Sequence, residues 1–245
     1  MLCYDTVERS VKIFTSPSGS SKNPYTDALI RLVGAFLLGG EYMKYIIMCG
    51  GPRSDKPLRE LNNEKIIERT IRLLRENGVE DIAISTNDDR YQFGVPVLHH
   101  DNSQTWNGFY WLDAFYPMTD PVCYIFGDVF FSPDAIKTIV ERQTEGIDFF
   151  ASSPPYSELY TKKWAEPFAF KVQDTDKFFQ CIRRCKELDD QHMFKRMPIS
   201  WELWQVINNT ALNKIDYHNY VAINDYTVDI DTEEQALSLK DRGLV

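Results

Sequence analysis

The chain alternates between short apolar runs and segments in which apolar residues recur every three or four positions. Residues 44–49 and 122–126 are apolar runs with the length expected of strands buried on both faces, and residues 147–151 predict one more strand. Residues 64–77 carry apolar side chains on one face of a predicted helix, and Gly78 follows where a helix end favours glycine. This part of the chain therefore predicts strands joined by helices.

The alternation continues along most of the chain. We predict further strands at residues 81–86, 95–98, 167–172 and 226–230. We predict further helices at residues 105–115, 132–145, 174–188 and 200–207, and a closing helix that begins at the capping box Thr232–Gln235. Strands that alternate with helices favour an α/β fold with a mostly parallel, doubly wound sheet.

Two regions depart from this pattern. Residues 1–42 contain a linker-like stretch at 16–24, and we expect them to be an N-terminal extension, either disordered or a misread start. Residues 43–245 then form the folded domain. Within it, residues 154–225 interrupt the alternation and are rich in aromatic side chains.

Composition and charge narrow the function classes. The 245 residues carry a formal net charge of −9, which argues against a main role in binding nucleic acid or an anionic membrane. The apolar stretch at residues 28–38 is too short to span a membrane and lacks the basic flank of a signal peptide. The cysteines number five, an odd count without a CxxC pair, and do not resemble a secreted disulfide framework. We expect a cytoplasmic protein.

Polar segments follow three of the predicted strands, at the edge of an α/β sheet where ligands bind. The first contains Gly50, Gly51, Arg53 and Lys56. Paired glycines let the backbone N–H groups approach phosphate oxygens, and the two basic side chains add positive charge. The segment matches neither a Walker A loop nor a GxGxxG fingerprint. A turn with solvated charges is the alternative.

The other two segments contribute carboxylates. Asp128 emerges from an apolar strand, where a buried carboxylate needs a cation, a salt bridge or a helix to cap. Asp229 and Asp231 alternate along a strand and so lie on one face. Three carboxylates together form a hard oxygen site suited to Mg²⁺. Alternatively, Asp231 or Thr232 caps the last helix.

Taken in order, these segments resemble the nucleotidyltransferase (NTP transferase) family, in particular its molybdopterin-guanylyltransferase-like and sugar-phosphate nucleotidyltransferase types. Residues 50–58 are similar to the family's signature loop, although a few residues shorter, and residues 64–69 to the helix that follows it. Gly127-Asp128 matches the family's metal-binding aspartate, and residues 228–232 match its terminal motif. The resemblance implies a three-layer, Rossmann-like and GT-A-like fold.

The resemblance also implies an activity. An NTP would be joined to a small acceptor, a sugar phosphate or alcohol phosphate, with Mg²⁺ as the cofactor and pyrophosphate as the second product. The implied roles are catalysis by Lys56 and Arg53; nucleotide binding by Gly50, Gly51, Ser85, Thr86 and Gly108; metal binding by Asp128, Asp229 and Asp231; and acceptor binding by Glu166, Lys171 and Arg196 within residues 154–225. For each acceptor residue a structural role is the alternative.

Two other functions fit parts of the pattern. A GT-A glycosyltransferase would use Asp128 and a metal to hold a sugar nucleotide, but such enzymes usually carry a D-x-D motif and here residues 127–129 supply one acid. An inactive nucleotide-binding module of the same fold would explain the short signature loop.

Overall fold

The computed structural model describes residues 43–50, 55–100, 104–105, 108–153 and 165–244, with the backbone alone at 104–105 and 108–109. The predicted extension, residues 1–42, lies outside the described residues, as do Gly51 and Arg53. None of the described helices is long and apolar enough to cross a membrane.

Short strands and helices follow one another along the chain. The strands are β1 (Lys44–Met48), β2 (Glu60–Leu61), β3 (Glu64–Lys65), β4 (Ile82–Ser85), β5 (Val97–Leu98), β6 (Gln104–Thr105), β7 (Gly108–Phe109), β8 (Val122–Phe126), β9 (Val129–Phe130), β10 (Ile147–Ala151), β11 (Pro167–Val172), β12 (Val221–Ala222) and β13 (Val228–Asp229). The α-helices are α1 (Ile66–Glu76), α2 (Pro133–Glu141), α3 (Thr175–Asp190), α4 (Ser200–Ile207) and α5 (Glu233–Asp241), and 3-10 helices cover Lys56–Leu58 and Trp111–Ala114.

The predicted mostly parallel α/β sheet is confirmed. Seven strands lie in the order β12-β10-β11-β8-β1-β4-β5. β1 is parallel to both β4 and β8, β4 to β5, and β10 to β12, whereas β11 is antiparallel to β8 and β10. The carboxyl ends of β1, β4 and β8 therefore meet at one edge.

Helices cover both faces of the sheet. Adjacent residues of a strand point to opposite faces of the sheet. In β11, Phe170 and Lys171 are such a pair. The Phe170 ring lies 5.5 Å from that of Phe178 in α3 and 6.4 Å from that of Trp204 in α4. The Lys171 ammonium instead reaches the carboxyl end of α2. This places α2 on one face and α3 and α4 on the other, in three layers.

The helix boundaries follow local sequence signals. The apolar stripe of α1 is buried against the sheet, and Gly78 adopts a φ of +80° just after the helix ends. α2 begins at Pro133, and Ser132 is its N-cap, with its Oγ accepting a hydrogen bond from the Ala135 amide at 2.9 Å.

The predicted helix at residues 105–115 is wrong. This segment instead contains the antiparallel pair β6 and β7 followed by the 3-10 helix Trp111–Ala114. The segment is rich in aromatic residues and includes Asn107-Gly108, a pair that favours hairpin turns over helices. Leu112 and Ala114 are still buried, so a single 3-10 turn satisfies the apolar spacing that predicted the helix.

Candidate active site

The centre of the site lies where β1 and β8 end side by side. Met48 pairs with Phe126, so residues 49–50 and 127–128 leave the sheet together. A Cβ atom on Gly127 would lie 2.6 Å from the Met48 carbonyl oxygen and 2.5 Å from the Cys49 Sγ. Glycine is therefore needed at this position, and Asp128 follows it directly at the edge of the sheet.

Three carboxyl groups surround one ammonium group at this edge. The Lys56 Nζ lies 2.6 Å from Asp231 Oδ1, 3.1 Å from Asp128 Oδ2 and 3.7 Å from Asp229 Oδ1. We call Asp128, Asp229 and Asp231 the aspartate cluster. The fold thus brings together Lys56 and the three candidate metal ligands, although 175 residues separate Lys56 from Asp231.

The ammonium and the carboxyl groups change each other's protonation. Burial lowers the pKa of Lys56, but the attraction of the three aspartates outweighs burial, and its pKa is raised overall. Burial raises the pKa of Asp229 well above its ordinary value, and the neighbouring Asp128 raises it further against the opposing effect of Lys56. Lys56 is therefore a permanent cation, and the cluster carries more negative charge than one lysine can balance.

Backbone pairing holds the terminal motif against Asp128. β13 pairs antiparallel with β9, and the Ile230 amide donates to the Asp128 carbonyl oxygen at 3.1 Å. Two Arg59 nitrogens donate to the carbonyl oxygens of Ile230 and Asp231 at 3.0 and 3.1 Å. Sequence reasoning missed Arg59, because nothing in its local pattern distinguishes it from a solvated loop arginine.

The question of which residue caps the last helix is resolved. Thr232 is the N-cap of α5, and its Oγ1 accepts from the Gln235 amide at 3.3 Å. The Gln235 side chain accepts in turn from the Asp231 amide at 2.6 Å. The Asp231 carboxylate therefore remains at Lys56 rather than at the helix terminus.

The aspartate cluster has the right chemistry for Mg²⁺, because carboxylate oxygens are the ligands this cation prefers. Among the described residues, no three His, Cys, Asp or Glu side chains are arranged to hold a metal ion as they stand. The Lys56 ammonium lies between the aspartates instead. The donor set fits the cation, and in this arrangement the lysine supplies the positive charge.

A cavity of about 520 Å³ opens beside the cluster. This volume is in the range of small-molecule sites. Gly50, Lys56 and the three aspartates contribute to its lining. Four aromatic residues also line the cavity, namely Trp111, Phe126, Trp201 and Tyr217, with Glu166, Arg196 and Ser200 as additional polar residues.

The two candidate acceptor residues Glu166 and Arg196 both line this cavity. Glu166 is 2% exposed, and its Oε2 accepts from the Asp229 amide at 3.0 Å. The Arg196 Nε donates to Glu202 Oε1 at 2.8 Å while about half of its side chain remains exposed. Glu166 thus positions part of the aspartate cluster, a role that its sequence context did not indicate.

Lys171, the third candidate acceptor residue, does not reach the cavity. Its ammonium donates to the carbonyl oxygens of Ile139, Val140 and Arg142 at 3.0, 2.9 and 2.7 Å, at the carboxyl end of α2. These carbonyls have no partner within the helix, and a buried cation satisfies them. The side chain lies on the α2 face of the sheet and outside the cavity lining, which favours the structural alternative for Lys171.

The candidate nucleotide residues occupy different places in the structure. Gly50 lines the cavity, and a Cβ atom there would lie 2.7 Å from the His100 ring. Ser85 and Thr86 are fully buried, and the structure does not bring them to the cavity lining. Gly108 lies in β7 instead of at the start of a helix.

Ser85 and Thr86 support the backbone on which Gly50 lies. The Ser85 Oγ is 3.0 Å from the His100 Nδ1, and the Thr86 Oγ1 donates to the Cys49 carbonyl oxygen at 3.1 Å. The His100 ring packs closely against Gly50. The sequence position of His100 indicated only the end of a strand. The three side chains fix the end of β1 and hence the cavity wall.

Comparisons with known proteins add the family. The sequence model of a family described as "MobA-like NTP transferase domain" matches residues 46–193, more than half of the chain. The match includes Lys56 and Asp128, whereas Asp229 and Asp231 lie beyond it. No curated protein matches the sequence significantly.

Solved structures share the fold. A protein assigned as a glucose-1-phosphate thymidylyltransferase from Bacillus anthracis superposes with a TM-score of 0.52 at 18% identity, covering 83% of this chain and 94% of that one. A 4-diphosphocytidyl-2C-methyl-D-erythritol synthase from Anaerococcus prevotii gives 0.53 at 13% identity, covering 84% and 100%. A 2-C-methyl-D-erythritol 4-phosphate cytidylyltransferase from Thermus thermophilus gives 0.51 at 10% identity, covering 82% and 98%.

Proposed function

We propose a specific reaction for this chain on the premise that it belongs to the family of MobA-like NTP transferase domains and is a nucleotidyltransferase. The reaction joins an NTP to the phosphate of a small sugar phosphate or alcohol phosphate and releases pyrophosphate. The attacking phosphate oxygen forms a bond to the α-phosphorus, and the bond from that phosphorus to the bridging oxygen of the leaving pyrophosphate breaks.

One observation carries the proposal. Lys56, which follows β1, and three aspartates from two distant segments converge beside a cavity large enough for a small molecule. A structural ion pair needs one carboxylate for one ammonium. Three carboxylates with one ammonium leave an excess of negative charge beside a cavity, which is typical of a site that handles a cation with its ligand.

The reaction needs positioning more than proton transfer. A phosphate monoester has a second pKa of about 6, so the attacking oxygen is already anionic near neutral pH. A general base is therefore unnecessary. Lys56, Arg53 and the amides of Gly50 and Gly51 are proposed to hold the departing phosphates, which aligns the reacting atoms and stabilises the developing charge.

Asp128, Asp229 and Asp231 are the proposed ligands of Mg²⁺. When bound, this ion supplies positive charge that neutralises phosphate oxygens and orients the two substrates. Arg59 and Glu166 keep the terminal aspartates in place through backbone hydrogen bonds. Ser85 and Thr86 support the nucleotide side of the cavity, and Gly108 remains a candidate for the base or ribose.

The acceptor is proposed to bind on the side of the cavity formed by residues 154–225. The described part of this region contributes Glu166 and Arg196 together with the edge-to-face pair Trp201 and Tyr217, whose ring centroids are 4.7 Å apart. Residues 43–245 would form the catalytic domain, and residues 1–42 an extension outside it. We place the protein in the cytoplasm, with an NTP and a phosphorylated small molecule as its partners.

A pyrophosphate-release screen tests the proposal. The protein is incubated with Mg²⁺, each of the four NTPs and a panel of sugar phosphates and alcohol phosphates. At least one pair should release pyrophosphate above the buffer blank, and Asp128→Ala should abolish that release. An exposed acid, Asp176 in the first turn of α3, provides the matched control as Asp176→Ala.

Two outcomes would overturn the proposal in different directions. Binding of an NTP by calorimetry without turnover on any acceptor would favour an inactive nucleotide-binding module. Binding of a UDP-sugar but of no NTP would favour a GT-A glycosyltransferase. Turnover that survives Asp128→Ala would disprove the assignment of Asp128 as a metal ligand.

A further inference from the structure

The Lys56 ammonium occupies the middle of the aspartate cluster. Its nitrogen lies within 3.1 Å of one oxygen each from Asp128 and Asp231. Both contacts are short enough to be hydrogen bonds. The lysine side chain is 8% exposed, whereas the three aspartate side chains are 25–34% exposed. The cation is therefore the most enclosed member of the group.

This arrangement joins three separate parts of the chain. Lys56 begins a 3-10 helix after β1, Asp128 follows β8, and the remaining aspartates belong to the segment around β13. Without a cation between them, three carboxylates at this separation would repel one another. The ammonium thus relieves a repulsion that the fold itself creates.

An ammonium and a divalent cation cannot share this position. Mg²⁺ or Mn²⁺ needs carboxylate oxygens in direct contact, and two of the three aspartates already accept hydrogen bonds from the Lys56 ammonium. Like charges at such a short distance also repel strongly where water is largely excluded. A divalent ion can occupy the cluster after the ammonium has moved to another anion.

We propose that Lys56 is the resident counter-cation of the aspartate cluster in the nucleotide-free protein and excludes divalent cations from it. A triphosphate brings anionic oxygens to the same cavity and gives the ammonium another partner. Divalent cation binding is then coupled to nucleotide binding through the position of one lysine. This inference rests on the proposed function for its biological role, but the exclusion itself concerns the protein without substrate.

Titration of the nucleotide-free protein with Mn²⁺, followed by the electron paramagnetic resonance signal of the free ion, tests the exclusion. We expect weak binding by the wild type and at least tenfold tighter binding by Lys56→Met. Lys56→Arg, which keeps the positive charge, should bind no more tightly than the wild type. Lys137→Met is the matched control, because Lys137 is an exposed lysine on α2 that should not influence Mn²⁺.

Further variants identify the site and guard against misfolding. Asp229→Asn introduced into Lys56→Met should abolish the gained affinity, which assigns it to the cluster. If Lys56→Met has lost its native circular dichroism, Lys56→Gln replaces it, since the amide can still hydrogen-bond to the aspartates without a charge. Circular dichroism and the thermal midpoint are measured for every variant.

Two results would overturn the inference. One is a folded Lys56→Met or Lys56→Gln protein that binds Mn²⁺ no more tightly than the wild type. The other is tight Mn²⁺ binding by the wild type that Asp229→Asn removes, because the cluster would then accept the ion with the lysine in place. Neither result depends on turnover, so failure of the pyrophosphate assay and failure of this inference are separable.

Discussion

As whole residues, Lys56 and Lys171 are each 6% exposed, yet their ammonium groups contact different kinds of oxygen atom. Lys171 donates to three backbone carbonyl oxygens at the end of α2, which are neutral groups that lack partners within the helix. Lys56 faces three carboxyl groups beside a cavity.

The difference separates a structural lysine from a functional one. At the end of α2, one cation donates to carbonyl dipoles, and a positive charge is favoured at this end of a helix. In the aspartate cluster, one cation faces up to three negative charges, and the remaining negative potential is available to a ligand. Burial alone does not distinguish the two lysines, whereas the charge of the surrounding oxygens does.

The largest expected effect is the loss of catalytic rate in the Lys56→Ala variant. We expect the rate of pyrophosphate release to fall by about 10²-fold or more, because a cation that stabilises transition-state charge is lost. The rate is measured with the substrate pair identified by the screen, and Lys137→Ala serves as the exposed control. A rate within threefold of the wild type would make Lys56 a structural lysine like Lys171.

The opposite result is expected for Lys171→Met. The free energy of unfolding should fall by about 2 kcal/mol, because hydrogen bonds from a charged group to buried carbonyls are lost. The rate should stay within about twofold of the wild type. Urea denaturation measures the stability, and a large loss of rate in a fully folded variant would contradict the separation of the two lysines.

Glu166 tests how the aspartate cluster is held in place. Glu166→Ala removes the acceptor of the Asp229 amide, and we expect the rate to fall about tenfold, equivalent to about 1.4 kcal/mol. Glu166→Gln keeps an acceptor oxygen and should recover most of the rate. Equal losses in both variants would show that the charge of Glu166 matters rather than its hydrogen bond.

The smallest effect concerns stability at Asp229. A carboxyl group with a raised pKa in the folded protein binds its proton more tightly there than in the unfolded chain. Stability is therefore lost as the pH rises from the unfolded value toward the raised folded value. Asp229→Asn lacks this ionisation, so at pH 7 its free energy of unfolding should exceed that of the wild type.

Urea denaturation at pH 5 and pH 7 checks the sign of this effect. The advantage of Asp229→Asn over the wild type should be larger at pH 7. Asp176→Asn, which changes an exposed acid on α3, should show no such trend. An advantage that shrinks with rising pH would mean that Lys56 stabilises the ionised Asp229 more than burial opposes it.

Much of the sheet could be predicted from local sequence. The predicted strands at residues 122–126, 147–151 and 167–172 have the observed bounds, because short segments dominated by apolar and aromatic residues leave few alternatives. The helix predicted at residues 105–115 failed because its apolar spacing also suits a 3-10 turn after a short hairpin. Periodicity over so few residues does not decide between the two.

The candidate site shows the same limit. Lys56 was singled out as a basic residue in the glycine-containing segment after the first strand, and Asp128, Asp229 and Asp231 as carboxylates just after or within apolar strands. Arg59 and His100 were missed, since their roles depend on backbone atoms of Ile230 and Gly50 that local sequence does not bring near. Ser85 and Thr86 were predicted to bind nucleotide, and in the structure their side chains contact His100 and the Cys49 carbonyl oxygen.

The sequence by itself determined the alternation of strands and helices, the family resemblance and the charged residues that follow the central strands. These features depend on local apolar spacing and short motifs. Only the tertiary structure decided that Lys56 lies among three aspartates while Lys171 caps a helix, and that Glu166 holds Asp229. A lysine or a carboxylate is defined functionally by the charges packed around it, and those come from residues distant in the chain.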